Sequence, residues 1–169
     1  MKVVKDRPII ITDPCYIARD EDWDDENGSV FNWRTSTINS PIFSSYIWED
    51  TKVGDGQWSV FEVNQKLGEG ELEDTVDDYS LALNEENEEL LEKIESEQKQ
   101  IGTFTADSGC IGVFFLDEAL KYNPDFLTGL SNICYTIIRD FTGRIQEYEC
   151  ANDDYTHFLG IGNKTFYTI

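Results

Sequence analysis

The chain has 169 residues, with 34 Asp or Glu against 13 Lys or Arg, and a formal net charge of −21. Such a surface repels DNA, RNA and anionic lipid, so direct nucleic-acid binding and membrane-surface binding are excluded as main roles. Hydrophobics at 40% and aromatics at 13% are enough for a buried core, so the acidity is not that of a disordered tail.

The first element predicted is a buried strand over Pro8-Ile9-Ile10-Ile11-Thr12, closed by a turn at Asp13-Pro14-Cys15-Tyr16, where Pro14 forbids a continued ladder. Residues 20–26, Asp-Glu-Asp-Trp-Asp-Asp-Glu, read as a short acidic surface helix with the Trp23 indole turned inward, ended by Asn27-Gly28. Ile42 to Trp48 is aromatic-rich and partly strand. Gly54-Asp55-Gly56 is a hairpin signal, followed by a strand in which Trp58, Val60 and Glu62 alternate with Ser59, Phe61 and Val63.

The composition then changes. Glu69 to Lys99 holds thirteen acidic residues and two lysines, a net −11 in 31 residues, while the rest of the chain carries −10. Asn84 as N-cap, the acidic first turn from Glu85 and the stop at Gly102 predict a helix from about Glu85 to Gln98. After it, Cys110 to Leu116 reads as an apolar strand. Asp117 is expected to cap a short helix from Glu118 to Tyr122, ended by Asn123-Pro124. Ile133 to Arg139, Arg144 to Cys150, Thr156 to Gly160 and Lys164 to Ile169 predict a meander of four successive strands. The expected fold is a single α+β domain over residues 1–169: a mostly antiparallel sheet or sandwich, one acidic helix and one or two short helices, with 69–100 as an acidic helical insertion.

Three short motifs stand beside predicted strands: Asp13-Pro14-Cys15-Tyr16, Gly54-Asp55-Gly56 and Asp107-Ser108-Gly109. Asp-Pro and Gly-Asp-Gly are turn chemistry in themselves, because Asp accepts hydrogen bonds from its own loop and Gly permits positive φ. The functional alternative is that Asp13, Asp55 and Asp107 converge on one rim that holds a small ligand, a nucleotide or a divalent cation. No EF-hand loop is complete, and with a single His and no C-x-x-C pair zinc is not expected, so no cofactor is assigned. Trp23, Trp48, Trp58 and Tyr16 are candidates to line an aromatic pocket, with Arg7, Arg34, Arg139 and Arg144 available for an anion. A catalytic reading needs Cys15 or Cys110 within reach of His157; the surrounding acids would raise the thiol pKa, so an enzyme is not expected.

The same stretches, Asp13 to Tyr16, Trp23, Gly54 to Trp58 and Ala106 to Gly112, together resemble an uncharacterised family of bacterial and phage proteins of unknown function. Its pattern is D-P-C-Y, a Trp region, G-D-G-x-[WY], [VA]-D-S-G-x-[IV]-G and a closing β meander. The likeness covers most of the chain except 69–99. It implies a phage or mobile-element origin and brings no activity with it.

The charge is the strongest functional signal. Twenty-one charges match roughly 36 Å of duplex DNA, and a compact domain of this length is about 40 Å across. The predicted helix, about 20 Å long, sets Glu85, Glu86, Glu88, Glu89, Glu92, Glu95 and Glu97 against Lys93 alone. The expectation is a non-enzymatic acidic binding protein that occupies the basic nucleic-acid surface of a host defence protein, of anti-CRISPR or anti-restriction type. Its contact residues are expected to be Asp74, Asp77, Asp78, Glu85, Glu86, Glu88, Glu89, Glu92 and Glu95. No apolar span or signal core is read, so the expected compartment is a (host) cytoplasm with reduced thiols. The oligomeric state is left open.

Overall fold

A computed structural model describes residues 6–23, 30–63, 98–145, 148–153 and 156–168. The α+β class is correct: two antiparallel sheets pack face to face, and a thin third layer covers the outside of the first.

The run Ile9-Ile10-Ile11 becomes β1 (Ile9–Thr12), a central strand. All three isoleucines are fully buried, because Ile9 and Ile11 face one layer and Ile10 the other. β1 lies between β7 (Cys110–Phe115) and β8 (Tyr135–Ile138), with Ile9 opposite Phe115 on one side and Ile138 on the other. β4 (Tyr46–Asp50) completes the sheet in the order β4-β7-β1-β8.

The second sheet runs β6-β5-β11-β10-β9, from β5 (Gly56–Val63), β6 (Gln98–Ala106), β9 (Tyr148–Asp153), β10 (Thr156–Ile161) and β11 (Lys164–Thr168). Its inner face supplies Trp58, Val60, Phe104, Leu159 and Phe166 to the core that Ile9, Ile47, Val113 and Phe115 complete from the first sheet. Trp58 stacks on its cross-strand partner Phe104 with centroids 5.3 Å apart, so β5 and β6 present an aromatic pair to the first sheet.

The outer face of the first sheet offers Ile10, Trp48 and Phe114. It is covered by α1 (Leu116–Tyr122) and by the hairpin of β2 (Phe31–Asn32) and β3 (Thr37–Ile38), with Phe31, Phe43, Ala119, Tyr122 and Phe126 buried between.

Several expectations change. Gly54-Asp55-Gly56 is not a hairpin turn: β4 belongs to the first sheet and β5 to the second, so the segment carries the chain between layers. Of the four strands expected as a meander, only β9-β10-β11 form one. β8 joins the first sheet instead, because Ile138 completes the core beside β1 and the buried Phe141 and Ile145 lead across to the second layer. Gly102 is no helix stop. It lies within β6, where a Cβ would stand 2.3 Å from Thr136 Oγ1, so glycine lets β6 and β8 approach closely. Gln98 opens the same strand; the rest of the predicted helix, 85–97, lies outside the described residues. The N-cap of α1 is Phe115, not Asp117, whose carboxylate takes Arg7 at 3.0 Å and the Glu118 N–H at 2.9 Å.

Candidate functional site

The three Asp motifs do meet at one corner of the sandwich. Asp13 ends β1 and is fully buried. Its Oδ1 accepts from the Cys15 N–H at 2.9 Å, which caps the 3-10 turn Pro14–Tyr16, and from the Ser108 hydroxyl at 2.5 Å. Its Oδ2 accepts from the N–H groups of Asp107 at 3.0 Å, Ser108 at 2.8 Å and, more weakly, Cys110 at 3.4 Å. One carboxylate thus satisfies the donors of the β6–β7 turn, which would otherwise be buried at a cost. The Tyr16 hydroxyl, one turn on, donates to Asp107.

Gly54 joins through the backbone. The Thr51 N–H donates to Gly109 O at 2.9 Å and the Thr51 hydroxyl to Gly54 O at 2.7 Å. Gly54 and Gly109 have φ of +84° and +70°, and a Cβ on Gly109 would lie 3.4 Å from Gly54 Cα. Positive φ explains why both positions are glycine.

The corner therefore works as a clasp between β1, the β4–β5 crossing and the β6–β7 turn. It does not make a three-aspartate rim. Both oxygens of Asp13 are taken by protein donors, Asp107 is taken by Tyr16, and Asp55 is exposed. Among the described residues no group of three His, Cys, Asp or Glu is placed to hold a metal ion. A cation there would have to displace N–H groups that the carboxylate already satisfies.

The thiols here are poor nucleophiles. Burial, reinforced by the neighbouring Asp13 carboxylate, pushes Cys15 far above the ordinary thiol range. Burial also raises Cys110, against a partial opposing effect of the Trp48 indole. The Tyr16 phenol is raised by burial and then by its hydrogen bond to Asp107. At neutral pH the corner thus presents protonated S–H and O–H groups and no thiolate. The backbone at His157 is paired with Asn152 and Thr168 in the second sheet, and its side chain lies outside the described positions.

The proposed aromatic pocket does not assemble. Trp58 is in the core between the sheets, Trp48 is on the opposite face of the first sheet, and Tyr16 is at the clasp. Arg7 is engaged with Asp117 and Glu118 and stacks over Phe115, so it is not available to an anion. Asp74, Asp77, Asp78, Glu85, Glu86, Glu88, Glu89, Glu92 and Glu95 all lie outside the described residues.

A second constellation was not legible beforehand. Asp22 is buried and accepts from Tyr122 O–H at 2.6 Å and the Arg19 N–H at 2.7 Å, while its carbonyl takes the Trp33 indole N–H at 3.0 Å. Trp23 is not turned inward; it stacks flat on Trp33, centroids 4.2 Å apart and planes 6° from parallel. The sequence shows the two tryptophans on either side of Asn27-Gly28, yet nothing in their spacing announces the stack.

No family model, curated protein or solved structure matches this chain. Among the described residues no helix is long and apolar enough to cross a membrane.

Proposed function

We propose that this protein is a non-enzymatic acidic binder that occupies the basic, nucleic-acid-handling surface of another protein, as an inhibitor of a host nuclease or related effector. The observation that carries this reading is where the charge enters the chain. Val63 at the end of β5 and Gln98 at the start of β6 are directly paired, so two adjacent antiparallel strands are joined by the 34 residues 64–97. A hairpin needs only about two residues there. The added residues hold thirteen carboxylates against Lys66 and Lys93, a net −11.

A surface of this sign accelerates encounter with a basic groove and makes binding steeply salt-dependent. The clasp geometry supports neither of the competing readings: Asp13 is spent on the fold, and the thiols beside it are protonated.

The test is to immobilise the full chain, capture proteins from host lysate at about 0.05 M and about 0.5 M salt, and ask whether the captured protein releases labelled duplex DNA when the chain is added. The expected result is a salt-sensitive, DNA-competing partner that the triple variant Glu85→Lys, Glu88→Lys, Glu92→Lys no longer captures. Equal capture by that variant, or a partner that keeps its DNA, rejects the proposal.

A further inference from the structure

Trp23 is 51% exposed, unusually so for a large hydrophobic side chain in this fold. Its inner face is covered by Trp33, so the exposure belongs to the other face. The stack is held from below: Trp33 packs edge-on against Trp48 with centroids 5.0 Å apart and donates its N–H to Asp22 O. Asp22 is in turn fixed by Tyr122, so the exposed indole stands on a buried network rather than on a free loop. Asp20, three residues earlier in the same 3-10 turn and so on the same face, is exposed, while Glu21 is paired with Arg19 at 3.1 Å.

We propose that the outer face of Trp23 is a docking point for an arginine side chain of a basic partner protein, a contact that rests on the binding function proposed above and adds a site to it. A planar guanidinium stacks on an indole face while its edge donates to a carboxylate, and Trp23 with Asp20 offers both partners on one face of the turn. The pre-stacked ring loses little freedom on binding, which is the property of an interface anchor. A nucleobase would also stack on an exposed indole, but its phosphates would meet the Asp20 carboxylate and a chain of charge −21. Charge complementarity therefore selects a basic protein segment as the occupant.

The probe is an octapeptide of alternating arginine and glycine, titrated into the full chain at about 0.15 M salt, with a citrulline-for-arginine peptide as the neutral isostere. Wild type is expected to bind the arginine peptide with a change in tryptophan fluorescence and the citrulline peptide at least about tenfold more weakly. Trp23→Ala, which alters no charge, is expected to weaken the arginine peptide about two- to fivefold, with Trp23→Phe between the two. The thermal midpoint of each variant checks that the fold is kept. Unchanged affinity in Trp23→Ala, or equal binding of the citrulline peptide, overturns the inference. The lysine triple variant separates the two proposals. If it still captures the partner while Trp23→Ala binds the arginine peptide weakly, the Trp23 site stands and the acidic-insertion reading fails. If it loses the partner while Trp23→Ala binds normally, the acidic reading stands and the Trp23 site fails.

Discussion

Asp13 and Ser108 are joined twice: the Ser108 N–H reaches Asp13 Oδ2 at 2.8 Å and its hydroxyl reaches Oδ1 at 2.5 Å, across 95 residues of sequence. That pair fastens the end of β1 to the turn that starts β7, and so sets the register of the first sheet's centre.

Removing the acceptor leaves part-buried donors unmatched beside a fully buried position. Asp13→Ala is expected to lower unfolding stability by about 3 kcal/mol or more, and Asp13→Asn by less, since one oxygen remains to accept. Urea denaturation monitored by tryptophan fluorescence reads both. A loss under about 1 kcal/mol for the alanine variant means the clasp does not hold the sheet.

The contact of Gly102 with Thr136 makes a paired prediction. In Gly102→Ala the new methyl meets Thr136 Oγ1 and Cγ2, so β6 and β8 must part, at a cost of about 1–3 kcal/mol. Thr136→Ala removes both atoms and is expected to recover part of that loss. The double-mutant cycle measures the coupling, and simple additivity speaks against steric contact as the cause.

The thiols at the clasp are expected to be slow. Burial and Asp13 hold Cys15 protonated, so its alkylation near pH 8 should be far slower in the native protein than in denaturant, with Cys110 similarly retarded. Iodoacetamide kinetics resolved by mass spectrometry give both rates. A rapidly alkylated Cys15 contradicts the protonated corner and reopens the enzyme reading.

Alkaline pH is expected to destabilise the fold. Burial, then the hydrogen bond to Asp22, pushes the Tyr122 phenol up to about 12. For Lys164, burial alone would lower the pKa, but the hydrogen bonds to Asp140 and Glu62 outweigh it and leave the ammonium raised. Groups raised on folding stabilise fully below their unfolded pKa and lose that contribution as pH rises through the folded value. Stability should therefore fall from about pH 10 upward, and Tyr122→Phe or Lys164→Met should flatten that limb. Asp140 is shifted the other way by the hydrogen bond from Lys164, so its contribution is lost at acid pH, below its ordinary carboxylate range. Urea midpoints measured across the pH range test all three; a flat alkaline limb in wild type contradicts the assignment.

What the sequence by itself determined is local. Three consecutive isoleucines mark a strand buried on both faces, alternation marks β5 and an apolar run marks β7, because side-chain pattern is a property of the strand alone. The charge balance and its concentration between two strands are likewise read directly. Tertiary structure alone decided which sheet each strand joins, why Gly102 is glycine, and that Asp13 closes a clasp rather than a metal rim. Its partners in the β6–β7 turn lie 94 to 97 residues away, and the wall that Thr136 presents to Gly102 comes from another strand, 34 residues further along the chain. Turn residues such as Gly54-Asp55-Gly56 state that the chain bends; only the burial of the faces on either side decides whether it returns to its own sheet or crosses to the next.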